Sequence, residues 1–286
     1  MAVGKEIRTK IVSVKNTQKI TRAMEMVAAS KLKKTQVRME QSRPYAKNIR
    51  SVVGHLMHVN PEYVHTYLVK REVKRVGMII FTTDRGLCGG HNVNIFRSVL
   101  NEISQYEQAG IEVDLALVGS KGVGYFKNLK VNVVSVASQL GDAPKLSDLI
   151  GTIAAMTSLY KEGKIDQLQV VHNVFVNTMT QKSEVIHVLP VEKTGDGQLQ
   201  DHWDYIYEPS AEELLESVLE RYLEAQVYRA AVENVACEMA SKMVAMKAAT
   251  DNAGEFIDQL KLQYNKARQA AITQEISEIV GGAAAV

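Results

Sequence analysis

Apolar residues in the C-terminal stretch, from about Ser210 to Val280, fall at a fixed rhythm. The inner positions are Val232, Val235, Met239, Met243, Met246, Thr250, Ala253, Ile257, Leu260, Tyr264, Ala267 and Ala271. From Met243 onward the steps alternate between three and four, which predicts a coiled-coil seam rather than the broader stripe of a globular helix. The stretch holds no proline, and its only glycine before Gly281 is Gly254. About 70 helical residues would run to roughly 105 Å, against about 50 Å for a compact domain of this chain length. Such a helix is too long to fold inside one globule.

A second helix is predicted over 3–42. Ile7, Ile11, Val14, Ile20, Met24, Val27, Ala28 and Leu32 recur at helical spacing, with lysines and arginines on the other faces. Pro44 is expected to kink or end it, Ser42 to cap a short helix over 45–57, and Asn60-Pro61 to mark a turn.

Between the two helices the period changes. A strand over 73–83 runs into the glycine-rich loop from Asp84 to Gly90, followed by a helix over 92–109. A strand at 113–118 closes on Gly119-Ser120-Lys121-Gly122 and a short helix to about Asn128. Then come a strand at 131–137, a helix at 146–162, a strand at 168–176, and 183–189 as its antiparallel edge. Strands alternating with helices predict βαβ units and a mostly parallel sheet. Residues 191–202 read as a polar loop before Trp203–Tyr207. Pro209, Ser210 and Glu213 fit a capping box for the last helix.

The expected architecture is therefore α/β plus a long antiparallel coiled coil, in which N- and C-terminal helices pair around an inserted, Rossmann-like, mostly parallel α/β domain. The boundaries read as 1–58 for the first helix, 70–207 for the inserted domain and 208–286 for the last helix. Neither helix can leave its seam to water, because an exposed apolar stripe of that size is rarely tolerated.

Composition adds one asymmetry. The net charge is only +2, yet residues 1–50 carry 13 Lys/Arg against Glu6, Glu25 and Glu40, a balance of +10 that leaves −8 for the remainder. A basic helix in an otherwise acidic chain suits a solvated coiled-coil face, an acidic protein partner or a nucleic acid. The basic start also looks like an organelle transit peptide, but its helical register continues past any cleavage point, and no secretory h-region follows the first lysine. No apolar run is long enough to span a membrane. Cys88 and Cys237 lie far apart without a CxxC, as expected for reduced thiols in a cytosolic protein.

Candidate chemistry is sparse. The loop Arg85-Gly-Leu-Cys-Gly-Gly90 sits where a phosphate loop would, but its spacing is neither GxGxxG nor GxxxxGK[ST]. The Gly119–Gly122 turn carries a lysine at a helix start, a weak anion site. Only His55 and His58 among seven histidines share a helix face, with no third metal ligand near. No Ser/His/Asp or paired-carboxylate arrangement stands out. The apolar end from Ile279 to Val286 suggests a smooth tip seated in a socket. On residues alone the chain reads as a coiled-coil adaptor with an inserted α/β domain; an RNA-binding coiled coil and a Rossmann-type enzyme are the alternatives.

Four segments make the pattern recognisable. Lys5-Glu-Ile-Arg8 with Asn16-Thr-Gln-Lys-Ile-Thr-Arg-Ala-Met-Glu-Met-Val-Ala-Ala-Ser-Lys31 resembles the γ subunits of F-type ATP synthases. So do Thr83-Asp-Arg-Gly-Leu-Cys-Gly-Gly90, Met243-Val-Ala-Met-Lys-Ala-Ala-Thr-Asp-Asn252 and Tyr264-Asn-Lys-Ala-Arg-Gln-Ala-Ala-Ile-Thr-Gln-Glu-Ile-Ser-Glu-Ile-Val280. The resemblance covers essentially the whole chain, is proteobacterial in character, and departs at His91, where a less polar residue is expected.

The resemblance implies a non-catalytic rotor shaft that couples proton flow to ATP synthesis and binds no cofactor of its own. The implied partners are an α3β3 hexamer, the ε subunit and the c-ring of the membrane sector, with the chain peripheral on the cytoplasmic face of a bacterial inner membrane. Lys15, Lys19, Arg22, Met24, Lys31, Lys33, Ile272, Gln274 and Glu275 would meet the α/β ring, with Lys34 among the same basic residues. Arg85, Leu87 and Cys88 would lie at the foot, toward the c-ring and ε. Met24 and Val27 are expected in the seam.

Overall fold

The structure, a computed structural model, describes residues 2–59, 65–191 and 211–283. Two compact units emerge, one of Met1–Ala29 with Lys242–Val286 and the other of Ser30–Ser241. The Asn60-Pro61 turn, the polar loop at 192–202, Trp203–Tyr207 and the Ser210 cap lie outside the described residues.

The sheet unit is built on β1 (Arg75–Phe81), whose residues from Val76 onward are all buried. A strand that is apolar on both faces must be covered on both sides, and it occupies the centre. The order is β3-β2-β1-β4-β5, with β2 (Glu112–Val118), β3 (Asn132–Ala137) and β4 (Gln167–Phe175) parallel to their neighbours. Only β5 (Gln181–Leu189) runs antiparallel, on β4, as the spacing predicted. One face packs on α2 (His91–Gln108) and α3 (Ser120–Phe126), where Met78, Ile80, Leu115 and Leu117 meet Ile95, Val99 and Phe126. The other carries Ile79, Phe81, Ala116 and Val170 against α4 (Ile150–Lys161), Val53 of α1 and the start of α5.

One glycine is dictated by this packing. Gly119 ends β2 at φ +102°, and a Cβ there would stand 2.5 Å from the carbonyl oxygen of Thr82. Both backbone conformation and space demand glycine.

The terminal helices are α1 (Ala2–Val59) and α5 (Ala211–Ala283). The helix does not stop at Ser42: α1 passes through Pro44 unbroken. Proline cannot donate to the carbonyl four residues back, but Pro44 and Glu40 are both solvent-exposed, while Met39, Ala46 and Val53 on the opposite face are buried. Packing outweighs the lost bond. Ser42 caps nothing; its hydroxyl donates to the Met39 carbonyl at 2.8 Å.

In the helix-pair unit, every inner position read on α5 is withdrawn from solvent, with Met246, Ile257 and Leu260 buried. The facing seam of α1 keeps the predicted positions Ile7, Ile11, Val14, Met24 and Ala28 inward. Two predicted positions, Ile20 and Val27, are exposed at 60% and 53%, and Gln18 and Thr21 turn inward in their place. A strict heptad fixes the phase by position, so polar Gln18 and Thr21 enter the seam while apolar Ile20 and Val27 leave it.

Candidate functional site

The loop after β1 tests the phosphate-site idea directly. Asp84 Oδ1 accepts from both the backbone N–H and the hydroxyl of Ser120, at 3.0 and 2.9 Å, at the first residue of α3. The chain's own carboxylate thus fills the place an anion would take. Burial pushes this carboxyl upward, but the amides of Gln139, Ser120 and Leu140 and the Ser120 hydroxyl outweigh it and hold the pKa below the ordinary aspartate value. Lys121 N–H donates to Thr83 O, and Gly122 N–H to Thr82 Oγ1. The Gly119–Gly122 turn is therefore closed by internal bonds.

The loop is held from beneath. Asn92 at the start of α2 accepts from Thr83 N and donates to Thr83 Oγ1 at 2.7 Å, and Cys88 is buried with Sγ beside the Asn92 amide. Arg85 and Leu87 remain on the surface, with Leu87 62% exposed at φ +67°. A bulky side chain in the left-handed region is an outlier, tolerated where surroundings determine the loop. Cys88, grouped with them in sequence, supports the loop from inside.

His91 fits the same logic. Its side chain is buried, and the Asn173 amide donates to its carbonyl at 3.1 Å and lies 2.9 Å from Nδ1. The polar residue where an apolar one was expected ties α2 to β4.

A second polar cluster escaped sequence reading. Pairing of β4 with β1 ends at Val171, yet β4 continues to Phe175. Side chains of α5 take over. Asn234 Oδ1 accepts from Asn173 N at 3.3 Å, Cys237 Sγ donates to Asn173 O at 3.2 Å, and Glu233 Oε1 accepts from Phe175 N at 3.4 Å. Without these bonds the buried Asn173 N–H and C=O would be unpaired. Glu233, 1% exposed, also lies 3.5 Å from Arg43 of α1 and 3.7 Å from both His172 and Arg229. Burial raises its pKa, but His172, Arg229 and the Phe175 amide together bring it below the ordinary glutamate value. The Cys237 thiol is pushed strongly upward by burial and by the nearby Glu233 charge, so it is an inert thiol. The available signal was a Glu-Asn pair between the apolar positions Val232 and Val235.

The remaining predicted contact residues lie on the terminal helices. In the helix-pair unit Lys15, Lys19 and Arg22 are exposed and Met24 is half-buried. Ile272, Gln274 and Glu275 are exposed on the last turns of α5, where Gln274 donates to Glu278 at 3.0 Å. In the sheet unit Lys33 and Lys34 are exposed, but Lys31 is engaged at 2.5 Å by Asp142. Among the described residues no group of His, Cys, Asp or Glu is placed to hold a metal, and no helix is long and apolar enough to cross a membrane. The His55/His58 side chains lie outside the described set.

The ATP synthase family model (ATP-synt) matches residues 4–286. The chain belongs to this family. Its place is that of the γ-type, central-stalk members, which are non-catalytic rotor subunits. Solved structures agree in fold. A chain in the rotor of the Euglena gracilis mitochondrial ATP synthase, in rotational state 1, aligns with TM-score 0.66 at 20% identity, over 95% of this chain and 99% of that one. A chain of the OSCP/F1/c-ring structure of the same enzyme in rotational state 3 gives 0.72 at 20% identity, over 99% and 94%. A chain of the central stalk and c-ring of Tetrahymena thermophila mitochondrial ATP synthase gives 0.59 at 24% identity, over 80% and 99%.

Proposed function

We propose that this γ-type chain turns inside an α3β3 hexamer and is seated on a c-ring with an ε subunit, at the cytoplasmic face of a bacterial inner membrane. In this reading it couples proton movement to ATP synthesis and hydrolysis on α and β. The observation that carries the proposal is the end of α5. Beyond Ala271 the seam has no partner among the described residues, yet Ile272, Ile276, Ile279 and Val280 continue the apolar spacing at 46%, 56%, 72% and 61% exposure. A helix that stays apolar after its own partner ends is built for a surrounding protein. Ile20 and Val27, exposed on α1 among lysines, support the same reading.

The mechanism follows from asymmetry. A shaft of two unlike helices presents a different face to each β subunit and biases each toward a different conformation, and coupling between the two ends is the difference in those contacts. Lys15, Lys19, Arg22 and Lys33 would meet acidic loops through screened, sliding contacts. The apolar tip would turn where directional bonds would impede it, and Arg85 and Leu87 would present the loop to the foot partners. The test is reconstitution: the chain should co-purify with α3β3 as an active ATPase that pumps protons once membrane-sector subunits are added. Failure to assemble with α3β3 would sink the reading.

A further inference from the structure

A seam stepping by three and four repeats itself every seven residues, so sliding one helix past the other by a heptad, about 10.5 Å, again sets apolar residues against apolar ones. In the helix-pair unit one belt breaks this degeneracy. Thr250 Oγ1 lies 2.8 Å from its own Met246 carbonyl and 2.7 Å from Thr21 Oγ1, while Thr21 Oγ1 is 3.1 Å from its own Gln18 carbonyl. The two shortest contacts form together when Thr250 donates to Met246 O and Thr21 donates across to Thr250. The Gln18 amide then reaches over to the Thr250 carbonyl at 3.3 Å. That carbonyl faces residue 254 one helical turn on, and Gly254 leaves it open: a Cβ there would stand 3.1 Å from Gln18 Nε2.

We propose that Gln18, Thr21, Thr250 and Gly254 form a register lock, positioning α5 on α1 at one of several alignments that the apolar seam alone would accept. A slip of seven in either direction replaces Thr250 opposite Thr21 by Met243 or Ile257, and replaces Gly254 opposite Gln18 by Lys247 or Lys261. The hydroxyl then loses its cross-helix acceptor, and the amide meets a long cationic side chain instead of an open carbonyl. A polar contact at a seam position is well suited to choosing register, because its loss is felt only in the wrong alignments. The lock also accounts for glycine at 254 in a helix otherwise free of it until 281, since an interior helical glycine disfavours the helix unless the site needs the space.

The test measures alignment in the full-length chain. Nitroxides at Asn16→Cys and Ala270→Cys, both exposed positions, report the axial offset by dipolar spectroscopy; Cys88 and Cys237 are buried and stay unlabelled. The parent should give one narrow distance population. T21V/T250V, which keeps shape and adds apolar surface, should keep or raise the melting temperature while adding a population displaced by about 10 Å, one heptad of rise. Adding G254A should enlarge that population, and T21S/T250S should restore the single one. A valine variant with the parental distribution overturns the lock, and so does a shifted population that the serine variant fails to reverse. The consequence for coupling rests on the shaft reading and is read separately, as protons pumped per ATP in the reconstituted complex. If the distances shift while pumping stays parental, the lock stands and the shaft reading is what falls.

Discussion

The sheet unit and the helix-pair unit use apolar residues in opposite ways. In the sheet unit they are enclosed: β1 has neighbours on both edges and helices on both faces, and Met78, Ile79 and Ile80 are wholly buried. In the helix-pair unit they form a narrow seam, and beyond Ala271 that seam faces nothing among the described residues. An enclosed core stabilises the fold by itself. A thin seam fixes direction and register and leaves surface for partners. Substitutions in the first should therefore be read in stability, and substitutions in the second in assembly and coupling.

The largest effect is expected in the enclosed core. Ile79→Ala removes a side chain packed on both sides and should cost about 2–5 kcal/mol by its transfer and cavity contributions, seen as a lower urea midpoint. Tyr264→Ala, on the half-buried seam, should cost distinctly less. Equal losses at the two sites would break the contrast.

Next comes the buried charge on α5. Glu233→Gln leaves Arg43 and Arg229 facing a neutral group and should cost about 1–3 kcal/mol at neutral pH, less than for a fully buried pair because solvent screens both partly exposed guanidinium groups. Its pKa is lowered on folding, so the stability it contributes is fully present above the ordinary glutamate value of 4.5 and is lost as pH falls through the depressed folded value. Stability curves of parent and variant should therefore converge on the acid side. Curves that stay parallel from pH 7 to pH 3 would show that the cluster does not hold the charge.

A smaller, local effect is expected at Asp84. Asp84→Ala removes the acceptor at the start of α3 and should cost about 1 kcal/mol, the usual worth of such a cap. Hydrogen exchange should rise at Ser120, Gln139 and Leu140, with β1 unaffected. Added phosphate should not protect the parent, because Asp84 already occupies the anion position.

What could be read beforehand divides along the same line. The inner positions of α5 from Val232 to Ala271 were legible because a heptad is local and self-consistent, and the antiparallel placement of 183–189 followed from strand length and spacing. On α1 the inner positions Ile7, Ile11, Val14, Met24 and Ala28 were legible too, but Ile20 and Val27 were not, because they are apolar by identity yet outward by position, and only α5 decides which face turns in. The passage of α1 through Pro44 was hidden for a similar reason: the proline signal is local, whereas the burial of Met39, Ala46 and Val53 that overrides it is tertiary. The α5 side chains that complete β4 depend on where β1 stops, a long-range fact with no sequence signature beyond polar residues in an apolar run. Among candidate contacts, Arg85 and Leu87 were legible as surface, whereas the burial of Cys88 and the pairing of Lys31 with Asp142 needed the fold.

The smallest stability effect belongs to Lys33, and it is the sharpest probe of the comparison. Lys31 and Lys33 look interchangeable in the basic helix, but Lys31 is held by Asp142, whose backbone carbonyl also accepts from Arg38 at 3.3 Å. Lys31→Glu would set a carboxylate against Asp142 and disturb the loop at 141–145, mixing a folding effect with any change in coupling. Lys33 is exposed and outside that contact. Lys33→Glu should therefore leave the melting temperature within the range of neutral surface changes, about 0.5 kcal/mol, while lowering protons pumped per ATP, because the reversed charge now faces the acidic surface proposed for β. Raising salt should shrink the difference between parent and variant, since exposed charge contacts are screened over about 8–10 Å at physiological ionic strength. Unchanged pumping at low salt would assign the basic face of α1 to solvation alone, and the exposed apolar residues, not the lysines, would then carry the contact with the ring.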